Sequence, residues 1–167
     1  LVEWIARWFR ARDVRTAIVS RGYGVEQGTR NDEALELEQK LPDVPHLQHA
    51  DRVEGARTAV EEFESQLLLL DDGFQHRRLA RDLDVVLLDA LEPFGYEHVF
   101  PRGLLREPLD GLQRAGVVVL SRADLVDERE RRRIRDVVAR YAPQAAWCEV
   151  RHAPRGLLNS VGDERPL

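Results

Sequence analysis

Four short apolar runs, none alternating with polar residues, constrain this chain most. They are Thr16-Ala-Ile-Val-Ser20, residues 66–70, residues 84–89 and residues 116–121. A strand with one solvated face alternates apolar and polar residues, because successive side chains point to opposite faces. Strands apolar throughout belong in a sheet covered on both sides, and such sheets are mostly parallel with helices as crossovers. Residues 32–41, 51–65 and 124–141 have helical composition or spacing between the runs, and residues 145–150 supply one more strand. Ile134, Val137, Val138 and Tyr141 mark the buried face of the last helix, while the mixed charges of 128–135 read as its solvated face. The pattern predicts an α/β fold, a three-layer parallel sheet, with residues 1–167 as one domain.

The chain opens inside another helix pattern. Leu1, Ile5 and Trp8, with Val2 and Phe9, recur at helical spacing, and Glu3, Arg7 and Arg10 take the other side. No capping residue precedes it and the chain has no methionine, so the sequence reads as a piece of a longer protein. Trp4 and Trp8 read as core, with a membrane-surface role for this helix as the alternative.

Composition removes several classes. A single cysteine, Cys148, excludes an internal disulfide and a multi-cysteine zinc site, and its apolar neighbours read as a buried thiol. A net charge of -5 argues against nucleic acid as a partner. No apolar run approaches the roughly 18 residues of a membrane-spanning helix, and no signal peptide is visible, which points to the cytosol.

In doubly wound sheets ligands bind beyond the carboxyl ends of the strands. That rule selects four polar segments: Ser20 to Gly24, Asp71 to His76, Asp89 to Ala90, and Ser121 to Asp124. Asp71-Asp72 closes an apolar run, where P-loop enzymes hold Mg²⁺ with hard oxygen ligands near the phosphates. The alternative is a tight hairpin turn at Asp72-Gly73. Asn31-Asp32-Glu33 opens a helix, either as carboxylates favoured by the helix dipole or as a base for hydroxyl deprotonation. Ser121-Arg122-Ala123-Asp124 partly matches the Asn-Lys-x-Asp segment of GTPases, with Asp124 otherwise a helix cap. Residues 93–111, rich in Gly and Pro, read as a long functional loop in which Arg102 and Arg106 either clamp phosphate or lie in solvent.

Together Ser20-Arg21-Gly22-Tyr23-Gly24, Asn31-Asp32-Glu33, Asp71-Asp72-Gly73-Phe74-Gln75-His76 and the tract from Pro101 to Pro108 resemble, in order and spacing, the tetraacyldisaccharide 4'-kinases of Gram-negative lipid A synthesis. The resemblance implies a P-loop NTPase fold, with ATP and Mg²⁺ serving to phosphorylate the 4'-hydroxyl of an acylated glucosamine disaccharide 1-phosphate. It places Asp71 and Asp72 at the metal, Asp32 as the catalytic base with Gln75 beside it, and Arg102 and Arg106 near substrate phosphates. It also implies a Walker A loop upstream of Leu1, further family sequence beyond Leu167, and a peripheral location on the cytoplasmic face of the inner membrane. The competing expectations are a GTPase-like regulatory module and a non-catalytic α/β scaffold.

Overall fold

The computed structural model describes residues 1–21, 32–154, 156–158 and 164–166. The chain forms two compact units, residues 1–80 and 81–167.

In the first unit the order is α1 (Val2–Arg10), β1 (Thr16–Ser20), α2 (Asp32–Lys40), β2 (His46–Gln48), α3 (Arg52–Glu61) and β3 (Leu67–Leu70). The strands pair in the order β2-β1-β3, both pairs parallel. Central β1 is buried along its whole length, and Ala17, Ile18 and Val19 are inaccessible to solvent. Side-chain alternation then splits its neighbours between two faces. Ile18 packs with Ala6 of α1, Leu41 and Val44, while Val19 meets α3 at Gly55. A Cβ on Gly55 would sit 3.3 Å from Val19 Cγ1 and 3.2 Å from His49 Cβ, so glycine lets this helix lie close to the strand.

In the second unit β4 (Val85–Asp89), β5 (Val117–Ser121) and β6 (Ala146–Glu149) form a parallel sheet in that order. Helix α4 (Glu128–Tyr141) makes the crossover between β5 and β6. Its Ile134 and Val138 are buried in one cluster with Val118 and Leu120 of β5, the face its spacing predicts. The charged side is laced by Arg132–Glu128 and Arg133–Glu130 pairs. A short antiparallel hairpin, β7 (Gly156–Leu158) with β8 (Glu164–Pro166), follows.

The α/β class and parallel pairing agree with the sequence pattern. Several local expectations do not hold. Trp4 is 65% and Trp8 41% exposed, because the buried stripe of α1 runs through Ala6 instead. The Arg12 guanidinium stacks 3.6 Å from the centroid of the Trp8 ring. Cys148 is exposed on β6, not buried. Strand β2 has only three residues and carried no apolar-run signal.

Burial in the two cores sets a stability test. Ile18→Ala and Ile134→Ala should each lose about 2–5 kcal/mol in urea unfolding, the usual range for emptying a packed site. Exposed Leu91→Ala should stay within about 0.5 kcal/mol of the parent. Equal losses at Leu91 and Ile134 would contradict this core.

Candidate functional site

Parallel pairing brings the carboxyl ends of β1 and β3 side by side. Val19 lies opposite Leu70, and the Asp71 amide donates to the Val19 carbonyl at 3.0 Å. Ser20 and Asp71 therefore leave the sheet at the same level. Ser20 Oγ and His46 Nε2 are 2.9 Å apart, which ties the carboxyl end of β1 to the first residue of β2. Of the segments selected from the sequence, Ser20 and Asp71 stand together here at adjacent strand ends, while Gly22 to Gly24 lie outside the described residues.

Beyond β3 the chain does not turn back into an antiparallel partner. Strand β3 pairs with β1, and the segment after Asp71 runs through turns to Ala80. The hairpin alternative for Asp72-Gly73 is thus excluded. Asp72 takes a left-handed conformation with φ 51°, and Gly73 next to it is buried. A Cβ on Gly73 would fall 2.7 Å from Leu70 Cβ, so the turn folds back tightly over the last residue of the strand. Asp71 is half-buried, while Asp72 and Gln75 are exposed.

Arg52 holds this turn from beneath. It is the first residue of α3 and only 6% exposed. Its Nη1 donates to the Asp72 carbonyl at 2.8 Å and its Nη2 to the Asp71 carbonyl at 3.1 Å. The helix itself is capped by Asp51, whose carboxylate accepts from the Val53 amide at 3.0 Å and pairs with Arg78 at 3.1 Å. Those two interactions, the Val53 amide foremost, hold the Asp51 carboxyl below its ordinary value. In the sequence Arg52 stands out no further than its neighbours in the helical segment 51–65. The available signal was a cation directly after a capping aspartate, at the helix end where cations are least favoured.

Asp32 opens α2, and its side chain lies outside the described residues, as do Gly22 to Asn31. Arg102 and Arg106 belong to the second unit. There, Gly95 and Gly103 are buried at the base of a loop closed by its own backbone bonds, Leu104 N to Gly95 O at 2.9 Å and Phe100 N to Leu105 O at 2.9 Å. A Cβ on Gly103 would lie 2.3 Å from the Gly95 and His98 carbonyl oxygens, so only glycine permits this closure. Both arginines are exposed on that loop, between Phe100 and Pro108.

At the other rim Asp89 lies opposite Ser121, and Arg122 forks onto both Asp89 carboxylate oxygens. Arg122 caps a short 3-10 turn containing Asp124, and no side-chain cap bond forms there. The cap of α4 is Asp127, which accepts from the Glu130 amide at 2.8 Å, so the capping role expected of Asp124 falls to Asp127. A cavity of about 370 Å³ nearby carries Glu92, Glu97 and Glu130 with Arg133, a lining ill-suited to an anionic ligand.

Comparison with known proteins agrees with this α/β fold. A solved structure of LpxK from Aquifex aeolicus in complex with ATP superposes with a TM-score of 0.61 at 33% identity, covering 71% of this chain and 42% of that one. HypB from Helicobacter pylori, crystallised with nickel, gives a TM-score of 0.57 at 16% identity over 90% of this chain and 71% of its own, which shows the fold alone. The chain is an α/β protein of the P-loop NTPase type. The family model described as Tetraacyldisaccharide-1-P 4'-kinase, LpxK, matches residues 1–164, and the chain belongs to that family. A tetraacyldisaccharide 4'-kinase from Anaeromyxobacter dehalogenans strain 2CP-C is 44% identical, over 94% of this chain and 46% of its own length. One from Elusimicrobium minutum is 38% identical, over 93% and 48%. The chain thus spans about half the length of the curated relatives it matches.

The depressed Asp51 carboxyl gives a pH prediction. A group with a lowered folded pKa stabilises above its ordinary pKa, and that contribution is lost as pH falls through the folded value. Asn at a helix N-cap keeps the amide hydrogen bond but carries no titrating charge. Asp51→Asn should therefore flatten the acid side of the stability–pH curve, below about pH 5, by lowering the neutral side toward the acid level, where variant and parent converge. Melting temperatures from pH 3 to 7 check this; an unaltered acid slope would contradict it.

Proposed function

We propose that this chain is part of a kinase that moves the γ-phosphate of ATP to the 4'-hydroxyl of an acylated glucosamine disaccharide 1-phosphate. One observation carries the reading: a paired aspartate at the carboxyl end of a parallel strand, in a chain matched along residues 1–164 by the kinase family. Residues 1–167 are read as part of a single P-loop kinase domain.

The donor set at Asp71 and Asp72 suits Mg²⁺. That ion takes hard oxygen ligands, usually one or two carboxylates, and completes its shell with phosphate and water. Among the described residues no three His, Cys, Asp or Glu side chains cluster to hold a metal alone, and this ion does not require them. When bound, Mg²⁺ supplies charge neutralisation on the phosphoryl group. In the proposed reaction Asp32 accepts the proton of the 4'-hydroxyl. The hydroxyl oxygen bonds to the γ-phosphorus as the bond to the β–γ bridging oxygen breaks, and ADP leaves. In this reading Gln75 orients the reacting groups, and Arg102 and Arg106 hold a substrate phosphate by charge-assisted hydrogen bonds.

The acylated substrate calls for work at a lipid surface, so the protein is read as cytoplasmic and peripheral to the inner membrane, with no nucleic acid partner. Among the described residues no helix is long and apolar enough to cross a membrane.

The test uses the full-length protein with ATP, Mg²⁺ and the disaccharide 1-phosphate. Transfer of label from γ-labelled ATP to the 4' position is expected. Asp32→Ala should lower kcat by about 10²-fold or more, the usual worth of a general base, while ATP affinity stays within about twofold. Full turnover in Asp32→Ala would remove the base assignment. Absence of disaccharide-dependent transfer by the parent protein would remove the kinase reading.

A further inference from the structure

Among the described residues, Arg52 is the only charged residue in the buried class, and its placement is unfavourable by every local criterion. It occupies the first position of α3, where the helix dipole opposes a cation. No carboxylate pairs with it among the described residues, and its buried Nε has no partner there. A buried cation without a counter-charge is costly, and an apolar side chain would be the ordinary occupant of such a site. What the arginine gains is two charge-assisted hydrogen bonds to two consecutive carbonyls, those of Asp71 and Asp72.

We propose that Arg52 is a positioning residue for the metal site: its guanidinium fork locks the two peptide planes that follow Asp71 and Asp72. This rests on the reading of those aspartates given above. A peptide plane held by its carbonyl restricts the torsions on either side, and with them the direction of the Cα–Cβ bonds. Asp72 needs that restraint because its φ of 51° is one that a non-glycine residue seldom holds unaided. Gly73 closes the turn from the other side, since a Cβ there would meet Leu70. With both restraints in place the two carboxylates reach a fixed region of space before any ion arrives. A planar fork spans two carbonyls at once, whereas a lysine ammonium, a single point on a flexible stem, does not hold both in one geometry.

The experiment measures Mn²⁺ binding by electron paramagnetic resonance in full-length protein with ATP, alongside the Mg²⁺ concentration for half-maximal phosphotransfer. Arg52→Met should weaken Mn²⁺ binding by about 10- to 100-fold, the range usual when a group supporting a metal ligand is removed. Arg52→Lys should fall between Arg52→Met and the parent, and ATP affinity without metal should change little in both. Asp71→Asn and Asp72→Asn run as references. If either shifts Mn²⁺ binding while folded Arg52→Lys and Arg52→Met keep the parent affinity, the role of Arg52 is refuted and the metal reading stands. If neither aspartate variant shifts it, the metal reading itself fails. Should Arg52→Met not fold, Arg52→Lys decides, because it keeps the buried charge and aliphatic stem and removes only the fork.

Discussion

Parallel pairing of β1 with β3 is the constraint on which the first unit depends. It places the end of an inaccessible strand beside the end of a half-buried one, so that Ser20 and Asp71 emerge together. The same pairing puts the Asp71-Asp72 turn within reach of Arg52 at the start of α3. Helix α3 lies close enough for this contact because Gly55 lets it approach β1. Backbone hydrogen bonding, one glycine and one buried guanidinium thus bring a carboxylate pair to the carboxyl end of the sheet.

The second unit repeats the parallel scheme with different means. Its rim is held by an ion pair, Arg122 on Asp89, where the first unit uses hydrogen bonds to carbonyls. Asp89 and Arg122 are both about two-fifths exposed, so solvent screens the pair and it contributes little stability. Its value is geometric, since a bidentate fork across β4 and β5 orients the turn that follows. The arginine loop of this unit is shaped by glycines in close backbone contact, with the charged side chains left outside.

Much of the architecture was legible because hydrophobic pattern and parallel pairing are two views of the same burial. The run at 117–120 became the inner strand β5, and Ile134 and Val138 became the buried stripe of α4. Reading failed where apolarity was a poor guide to burial. Trp4 and Trp8 lie off the stripe set by Ala6, and Cys148 sits on strand β6, which among the described residues pairs with β5 alone. Short β2 escaped notice because three residues carry no period, and its place comes from hydrogen bonds to β1.

At the site the division is sharper. By itself the sequence determined the α/β class, the strand-end aspartates, and the ordered tracts that mark the kinase family, because these are local in the chain and carried by residue type. Only the tertiary structure decided that Asp72-Gly73 is no hairpin, that Asp127 and not Asp124 caps α4, and that Arg52 grips the Asp71-Asp72 turn. Each of these depends on which backbone groups come within hydrogen-bonding distance. For the hairpin and for Arg52, sequence separation conceals that proximity: Arg52 and Asp71 stand 19 positions apart in the chain and 3.1 Å apart in space.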